Sequence, residues 1–425
     1  MQLEEHLFRR ESGRLVALVT RLFGIHNLAL AEDVVQDAFC RALETWKFHG
    51  IPENPSAWLL TAAKHRALDV LRREGTARRF APDLERYLES EWTLAPTVEE
   101  AFEAGGISDV VLRMMFSCAH PRLGEETQVA LILHLICGFG IDETAAAFLA
   151  NPGAMQRRLA RAKQALARSR ELFDVAGAAD IATRLRAVQR AIYLLFNEGY
   201  HGASAQAPVR AELCGEALRL VSQLLQSART AAPSTHALAA LLCFLAARLP
   251  GRIDDDGNLI VLIDQDRSLW DARLVEEGRA HLDRAATGDE LTAYHVEAGI
   301  AALHADAASA AETQWDGIVT LYGTLMRLNP SPVVALNRAI AIAQRDGPAR
   351  GLDEIARIEG RESLDRYPFY FTAIGELERR LGRSGRALEA FNAALALARS
   401  PSERHFLAGR IGASAAMHGE KAAMP

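Results

Sequence analysis

Beyond Asp180 the chain carries one repeating signal to its end: alanine-rich segments with helical character, each stopped by proline or glycine at Pro233, Pro250-Gly251, Gly288, Pro330, Gly347-Pro348 and Pro368. Proline has no N–H to give a helix, and glycine loses most entropy when ordered, so these residues end helices where they fall. A polymer punctuated in this way has only one means of burying its apolar stripes, which is to lay helix on helix. The front of the chain has the same 3.6-residue period. Leu15, Leu18, Val19 and Leu22 mark one helix, and Val34, Val35, Ala38, Phe39, Ala42 and Leu43 mark another. The expectation is an all-α protein, and 425 residues with 49% apolar and 24% charged side chains provide core enough for several domains.

Loop signals set the boundaries. Gly50-Ile51-Pro52-Glu53-Asn54-Pro55 forbids helix locally, Ser56 can cap the helix that follows, and that helix runs to about Arg73 before Gly75. Residues 1–75 therefore read as a small helical bundle with one conspicuous loop. Residues 76–106, with Ala81-Pro82, Ala95-Pro96 and Gly105-Gly106, read as an acidic linker, residues 107–174 as a second helical unit, and residues 180–425 as stacked helix pairs.

A net charge of −6 argues, taken as an average, against a nucleic-acid partner. The charge is segregated, however. Pro82 to Glu126 holds ten acidic residues against Arg86, Arg113 and Arg122, whereas Met155 to Arg170 holds Arg157, Arg158, Arg161, Lys163, Arg168 and Arg170 with no acid. The longest apolar run, Val129 to Gly140, includes His134 and is too short for a bilayer, and no export signal precedes it. Five scattered cysteines fit free thiols. A cytoplasmic protein without a membrane partner is expected.

The helix from Ala57 to Arg73 aligns Trp58, His65, Asp69 and Arg72 on one stripe and Leu60, Ala63, Ala67 and Val70 on another. A basic face begun by an aromatic suits single-stranded DNA, with Lys64, Arg66, Arg72 and Arg73 at phosphates; an amphipathic helix with a packed tryptophan is the plainer alternative. Context adds to this. Ala31-Glu32-Asp33-Val34-Val35-Gln36-Asp37-Ala38-Phe39, then Ala42-Leu43-Glu44-Thr45-Trp46, Asn54-Pro55-Ser56-Ala57-Trp58-Leu59 and Arg66-Ala67-Leu68-Asp69-Val70-Leu71-Arg72-Arg73 together resemble region 2 of extracytoplasmic-function sigma factors. The resemblance implies that Asp33, Gln36 and Asp37 contact the clamp helices of the largest subunit of core RNA polymerase. It also implies that the Phe48 to Asn54 loop captures a flipped base of the minus-10 element, with Phe48, His49, Trp58, Lys64, His65, Arg66, Arg72 and Arg73 as its DNA-binding residues. His65 stands where the family often has asparagine.

In the second unit, Asp142 to Leu149, a short break and Asn151 to Arg170 have the proportions of a helix-turn-helix. Asn151 can cap the second helix and Pro152 suits its first turn. Met155, Leu159, Ala162 and Leu166 form its packing stripe, leaving Arg157, Arg161, Gln164 and Arg168 outward. Glu143-Thr144-Ala145 and Arg158-Leu159-Ala160-Arg161-Ala162-Lys163 resemble sigma region 4. By that resemblance Gln156, Arg157, Arg158, Arg161, Gln164 and Arg168 read the minus-35 element, and the polymerase flap joins the clamp as a partner. Thr144 replaces the usual isoleucine, and Gly153-Ala154 the usual Ser/Ala-Thr pair.

Cys118, His120, His134 and Cys137 could be read as metal ligands, but their spacing is not that of a finger and they lie in apolar helices; no metal or cofactor is expected. Asp254-Asp255-Asp256-Gly257-Asn258 lacks the glutamate of a calcium loop and reads as a hairpin turn before Leu259. No nucleophile elbow, paired carboxylates or phosphate loop suggests an enzyme. In the C-terminal part Gly347, Ala349 and Ala356 recur as Gly385, Ala387 and Ala394, and Phe371, Gly375, Ala387, Phe391 and Ala394 fit the tetratricopeptide pattern. Phe196-Asn197-Glu198-Gly199-Tyr200, Asp264-Gln265-Asp266-Arg267 and Ser331 to Ala339 resemble the sigma-factor group with a tetratricopeptide-like C-terminal domain. These polar clusters read either as buried hydrogen-bond networks or as a groove for an unknown protein partner or ligand. The whole reads as a sigma factor regulated by its extension; the alternatives are a helix-turn-helix regulator that needs no polymerase and a repeat scaffold that binds only proteins.

Overall fold

The computed structural model describes residues 11–20, 28–73, 109–148, 150–168, 178–201, 209–254, 258–398 and 400–422. Among them the structure is all-α, and β pairing is limited to one isolated antiparallel bridge between Ile253 and Leu259. The acidic segment 76–106 lies outside the described residues. The chain forms two compact units, residues 1–195 with 222–231, and residues 196–221 with 232–425.

The first unit begins with α1 over 11–20, whose Leu15, Val16, Ala17 and Val19 are buried; Leu18 is half-buried and Leu22 lies outside the described residues. Then come α2 (Leu28–His49) and α3 (Pro55–Arg73). Four helices follow: α4 (Val110–Cys118), α5 (Glu125–Leu135), α6 (Ile141–Ala147) and α7 (Pro152–Ala167). α5 is the axis of this second group: Val129 to Leu133 are all fully buried. Helix α8 (Ala178–His201) joins it through Arg184, which donates to the Phe116 carbonyl at 3.2 Å, and through Arg186 and Arg190, which reach the Glu125 carboxylate at 3.0 and 3.4 Å.

Two expectations shift here. α2 is continuous to His49, so Phe48 and His49 are helical and the loop begins only at Gly50, whose φ of +78° is the left-handed conformation that ends a helix. α3 is capped by Asn54, whose Oδ1 accepts from Ala57 N at 3.0 Å, not by Ser56. Pro55 takes the first helical position, where the missing N–H costs nothing.

In the second unit α9 (Ala211–Leu225), up to Val221, precedes α10 (Pro233–Ala247) and α11 (Ala272–Ala285). Then come α12 (Ala293–Asp306), α13 (Trp315–Leu328), α14 (Pro332–Asp346), α15 (Pro348–Ala356), α16 (Pro368–Arg380), α17 (Ser384–Leu397) and α18 (Pro401–Ala422). The stretch Pro233–Gly251 is long and apolar enough to cross a bilayer, but 78% of it is buried inside the fold as a core helix. From α12 onward the cores are local and successive. Val296, Ile318 and Ile342 join α12 to α14, Leu336, Ile355 and Leu377 join α14 to α16, and Phe391 with Leu407 joins α17 to α18. Each helix buries its stripe on its neighbours in sequence, the arrangement of a solenoid.

Gly375 lets α16 meet α17, because a Cβ there would stand 2.6 Å from the Phe391 ring. The recurrence of Ala349 and Ala356 as Ala387 and Ala394 does not carry through to packing. Ala387 and Ala394 are buried, whereas Ala349 and Ala356 are exposed, and Gly351 and Ile355 face the core instead. The small-residue requirement is met in both helix pairs, in different registers.

Titratable groups are also buried between helices. His236 Nδ1 on α10 and His281 Nδ1 on α11 are 3.1 Å apart. Burial, then the neighbouring imidazole, holds His236 below the ordinary histidine range, and burial does the same for His281. His304, on α12, is pushed by burial and then by Arg248 and Arg267 down to about 3. Of the five thiols only Cys40 is exposed, and burial raises Cys118, Cys214 and Cys243 to about 12.

Gly375→Ala destabilises the fold by about 1–3 kcal/mol in a urea titration because the methyl group overlaps Phe391. Gly323→Ala, in α13 with open space around its Cα, stabilises by roughly 0.5–1 kcal/mol through helix propensity. Since His236, His281 and His304 fold in the neutral form, the unfolded chain binds more protons below about pH 6.5. Unfolding free energy therefore falls with pH from there down; His304 alone accounts for about 3 kcal/mol by pH 4, and His304→Gln flattens that slope.

Candidate nucleic-acid interface

Helices α2 and α3 pack through Ala31, Val34, Val35, Ala38, Ala42 and Trp46 on one side and Leu59, Ala63 and Ala67 on the other. Leu59, not Leu60, begins the packing stripe of α3, while Leu60 and Val70 are half-buried. Trp46 is buried, and Trp58 lies edge-on to it with ring centroids 5.5 Å apart. The tryptophan expected on the reading face therefore spends one edge in the core and keeps only part of its surface for a partner.

On the outer surface of α2, Asp33 and Gln36 are exposed. Asp37 is engaged within the chain: its carboxylate accepts from Arg66 Nε of α3 at 2.5 Å. At the end of α2 Phe48 is 79% exposed, with Lys47 Nζ 5.8 Å from its ring centroid, and His49 donates back to the Thr45 carbonyl at 3.2 Å. Leu43 and Ile51 are exposed as well. The stripe on which Leu43 lies does not bury it; the helix turns it outward, and Phe48 at the helix end and Ile51 in the loop are exposed too. An exposed phenylalanine beside lysine and histidine is suited to stack on a base while the cations approach the backbone. His65 is exposed and Lys64 half-buried. α3 continues through Arg72 and Arg73, whose side chains lie outside the described residues.

The second group forms a helix-turn-helix from α6 and α7. Glu143 accepts from Gly140 N at 2.8 Å at the start of α6, and Thr144 is buried with its hydroxyl donating to the Gly140 carbonyl at 2.8 Å. Thr144 thus fills a packing position while its polar atom is satisfied locally. Asn151 Oδ1 accepts from Gly153 N at 2.9 Å and caps α7, with Pro152 in the first turn. Met155, Leu159, Ala162 and Leu166 are buried, and Gln156, Arg157, Arg161, Gln164 and Arg168 are exposed. Arg158 is half-buried and reaches Glu126 at 3.2 Å. The exposed arginines follow along one face of the capped helix, which fits its entry into a major groove.

One contact, not anticipated from the sequence, joins the two groups. Glu32 on α2 accepts from Lys163 Nζ of α7 at 2.5 Å, and His134 Nε2 of α5 is 3.4 Å away. Burial works against its ionisation, but the hydrogen bonds from His134 and Lys163 and the lysine charge hold the carboxyl below the usual carboxylate range. The other nitrogen of His134 meets the Phe139 carbonyl at 2.9 Å, so both ring nitrogens are engaged. His120 Nδ1 accepts from Arg122 N at 3.2 Å, and Cys118 and Cys137 are buried; among the described residues no three ligand-type side chains gather as a metal would require.

The polar clusters of the second unit resolve mostly into internal bonds. Glu198 pairs with Arg210 at 2.5 Å, and the Gly199 carbonyl accepts from Arg210 N. Gln265 Nε2 donates to the Ile260 carbonyl, Asp266 caps a short turn at Ser268, and Asp264 lies 3.4 Å from Arg410. Ser331 caps α14 through Val334 N. Asp254 accepts from Asn258 N at 2.7 Å and closes the turn before the Ile253–Leu259 bridge; residues 255–257 lie outside the described residues.

Comparison with known proteins matches residues 7–77 to sigma-70 region 2, residues 113–166 to sigma-70 region 4, and residues 184–286 to a family of unknown function, DUF6596. The chain is similar to the uncharacterized protein R00370 of Rhizobium meliloti (strain 1021), 38% identical over 93% of this chain and 92% of that one. It is also similar to the RNA polymerase sigma factor CarQ of Myxococcus xanthus, 26% identical over 38% of this chain and 86% of that one. No solved structure matches at a significant level.

The Glu32 contact is testable as a cycle. Glu32→Gln lowers unfolding free energy by roughly 1–2 kcal/mol, between the values for exposed and buried ion pairs. Lys163→Met costs less in the Glu32→Gln background than in the wild type, and urea titrations of the four proteins give the coupling.

Proposed function

The chain belongs to the sigma-70 family, with region 2, region 4 and a C-terminal extension, and from that premise we propose that it is a dissociable, extracytoplasmic-function-type initiation subunit controlled by its extension. Its two sigma domains imply binding to core RNA polymerase and promoter DNA. In this reading Asp33 and Gln36 on the outer face of α2 meet the clamp helices, and Asp37 braces Arg66 and so sets the angle of α3. Phe48 receives a base of the minus-10 element, while His49, Trp58, Lys64, His65, Arg66, Arg72 and Arg73 line the strand. Helix α7 reads minus-35 with Gln156, Arg157, Arg158, Arg161, Gln164 and Arg168, and region 4 rests on the flap. Catalysis belongs to the polymerase, and the site of action is the cytoplasm.

The observation that supports this most directly is the 79% exposure of Phe48 at a helix end beside a basic helix, in the same chain as a capped helix-turn-helix with its arginines outward. The tetratricopeptide-like solenoid behind it takes the place of a separate inhibitory partner: it presents local cores in series and a long surface, which suits regulation by contact with a protein.

Reconstituted run-off transcription on a genomic promoter library tests the reading. The full chain directs core enzyme to a small set of promoters, and binds the same duplexes weakly without core. Phe48→Ala lowers open-complex formation by about 5–100-fold, the worth of one stacked base, and leaves region 4 binding intact. Arg161→Ala weakens promoter binding by about 1–3 kcal/mol if it reads a base edge. Equal binding to duplex DNA with and without polymerase supports the helix-turn-helix regulator instead. Removal of residues 202–425, which keeps α8 and its contacts to Phe116 and Glu125, changes promoter-dependent output; unchanged output removes the regulatory role.

A further inference from the structure

The segment between α10 and α11 folds back on itself in three short turns, Leu249–Gly251, Leu262–Asp264 and Arg267–Leu269, and closes where Asp271 N donates to the Ala247 carbonyl at 2.9 Å. It gathers three guanidinium groups around two aromatic rings. Arg248 and Arg267 lie 5.1 and 5.3 Å from the Trp270 ring centroid, and Arg252 lies 3.9 Å over the Tyr200 ring. Arg248 is 5% exposed.

Among the described residues, none of the three arginines has a carboxylate within ion-pair distance. Their hydrogen bonds go to neutral acceptors. Arg248 donates to the Ala301 carbonyl at 3.2 Å and to Tyr200, Arg252 meets His201 Nδ1 at 3.3 Å, and Arg267 donates to the His304 and Ala307 carbonyls and to Thr313 Oγ1. Glu312 acts on Arg267 only through space. Buried arginine elsewhere in this unit is handled differently, since Arg210 sits on the Glu198 carboxylate. At the arginine cluster the Nε groups of Arg248 and Arg252, the indole N–H of Trp270 and Nδ1 of His304 are buried without a partner. Burial lowers the pKa of Arg248, and Arg267 and Arg252 add to that.

Cations taken out of water and set against one another, with N–H groups left unmet, are an unstable arrangement unless an anion joins them. We propose that this cluster is a binding site for a phosphate group, free or carried by a small molecule. Guanidinium forks match the tetrahedral oxyanion, and its two negative charges offset those of the arginines. The half-buried Arg252 and Arg267 form the entrance, Arg248 and Trp270 the floor. All three arginines lie within residues 184–286, the span matched to the family of unknown function, and the site gives the extension a small-molecule input. The inference stands apart from the sigma-factor reading, because it concerns binding to the extension alone.

The test uses the full chain exchanged into chloride buffer and titrated, at constant ionic strength, with inorganic phosphate or with a nucleoside monophosphate, read by thermal unfolding and calorimetry. The expected result is a saturable rise in Tm of several degrees, with one site per chain and no response to added chloride. A response to inorganic phosphate identifies the free ion, and a response to the monophosphate alone identifies an esterified ligand; either supports the site. Arg252→Met abolishes the response while leaving the Tm in chloride unchanged or higher, since an unpaired cation is gone. If Arg252→Met does not fold, Arg252→Lys keeps the charge, loses the fork and weakens binding about tenfold. A wild type inert to both ligands overturns the proposal, as does a response that survives in the Arg252 variants, which would make the cluster purely structural.

Discussion

Helices in this chain come together where a side chain is missing. At Gly375 a methyl group would collide with Phe391, at Gly278 it would press on the Phe244 ring, at Gly199 it would stand 2.8 Å from the Arg210 carbonyl, and at Gly13 it would overlap the Ile136 carbonyl. An all-α protein with few aromatics, 7% of the chain, has little bulk to span gaps between helix axes, so it brings the axes closer. The alanine-rich sequence is the same device in weaker form: Ala17, Ala31, Ala38, Ala63 and Ala67 are all buried in the first unit. Close packing then leaves long polar side chains to work at helix ends and outer faces, where they meet partners or one another.

Glu32 shows what this does to the sigma regions. It sits between α2, the helix proposed to meet polymerase, and α7, the helix proposed to enter DNA, and it holds Lys163 with His134 beside it. The pair holds its carboxyl below the usual carboxylate range although burial works the other way. A charge pair that is only partly buried is strong enough to set one arrangement of the two regions and weak enough to be exchanged for phosphates, which would compete for Lys163.

How much of this could be read from the amino-acid order depended on how local the physics is. The stripe Met155, Leu159, Ala162, Leu166 and the Asn151 cap are settled within one helix, and they appear where the periodicity places them. The start of α3 is also local, yet Ser56 reads as its cap, whereas Pro55 takes the first helical position and leaves the cap to Asn54. Leu43 and Phe39 satisfy the helical period but not the core, because a stripe fixes a face and not how far the neighbouring helix reaches across it. The partners of Asp37, Glu32 and Arg248 are fixed by tertiary approach, over separations that no motif encodes. For Arg248 the described acids nearby give no guide, because Asp264 turns to Arg410 and Asp266 to Ser268.

The thiols carry a practical consequence. Cys118, Cys214 and Cys243 are buried and held almost entirely as thiols at neutral pH, Cys137 is buried, and Cys40 stands exposed on α2. A maleimide dye offered to the folded protein therefore finds one position to react with. That position lies one helical turn beyond Gln36, so a fluorophore placed there without any mutation reports on whatever covers that face of α2.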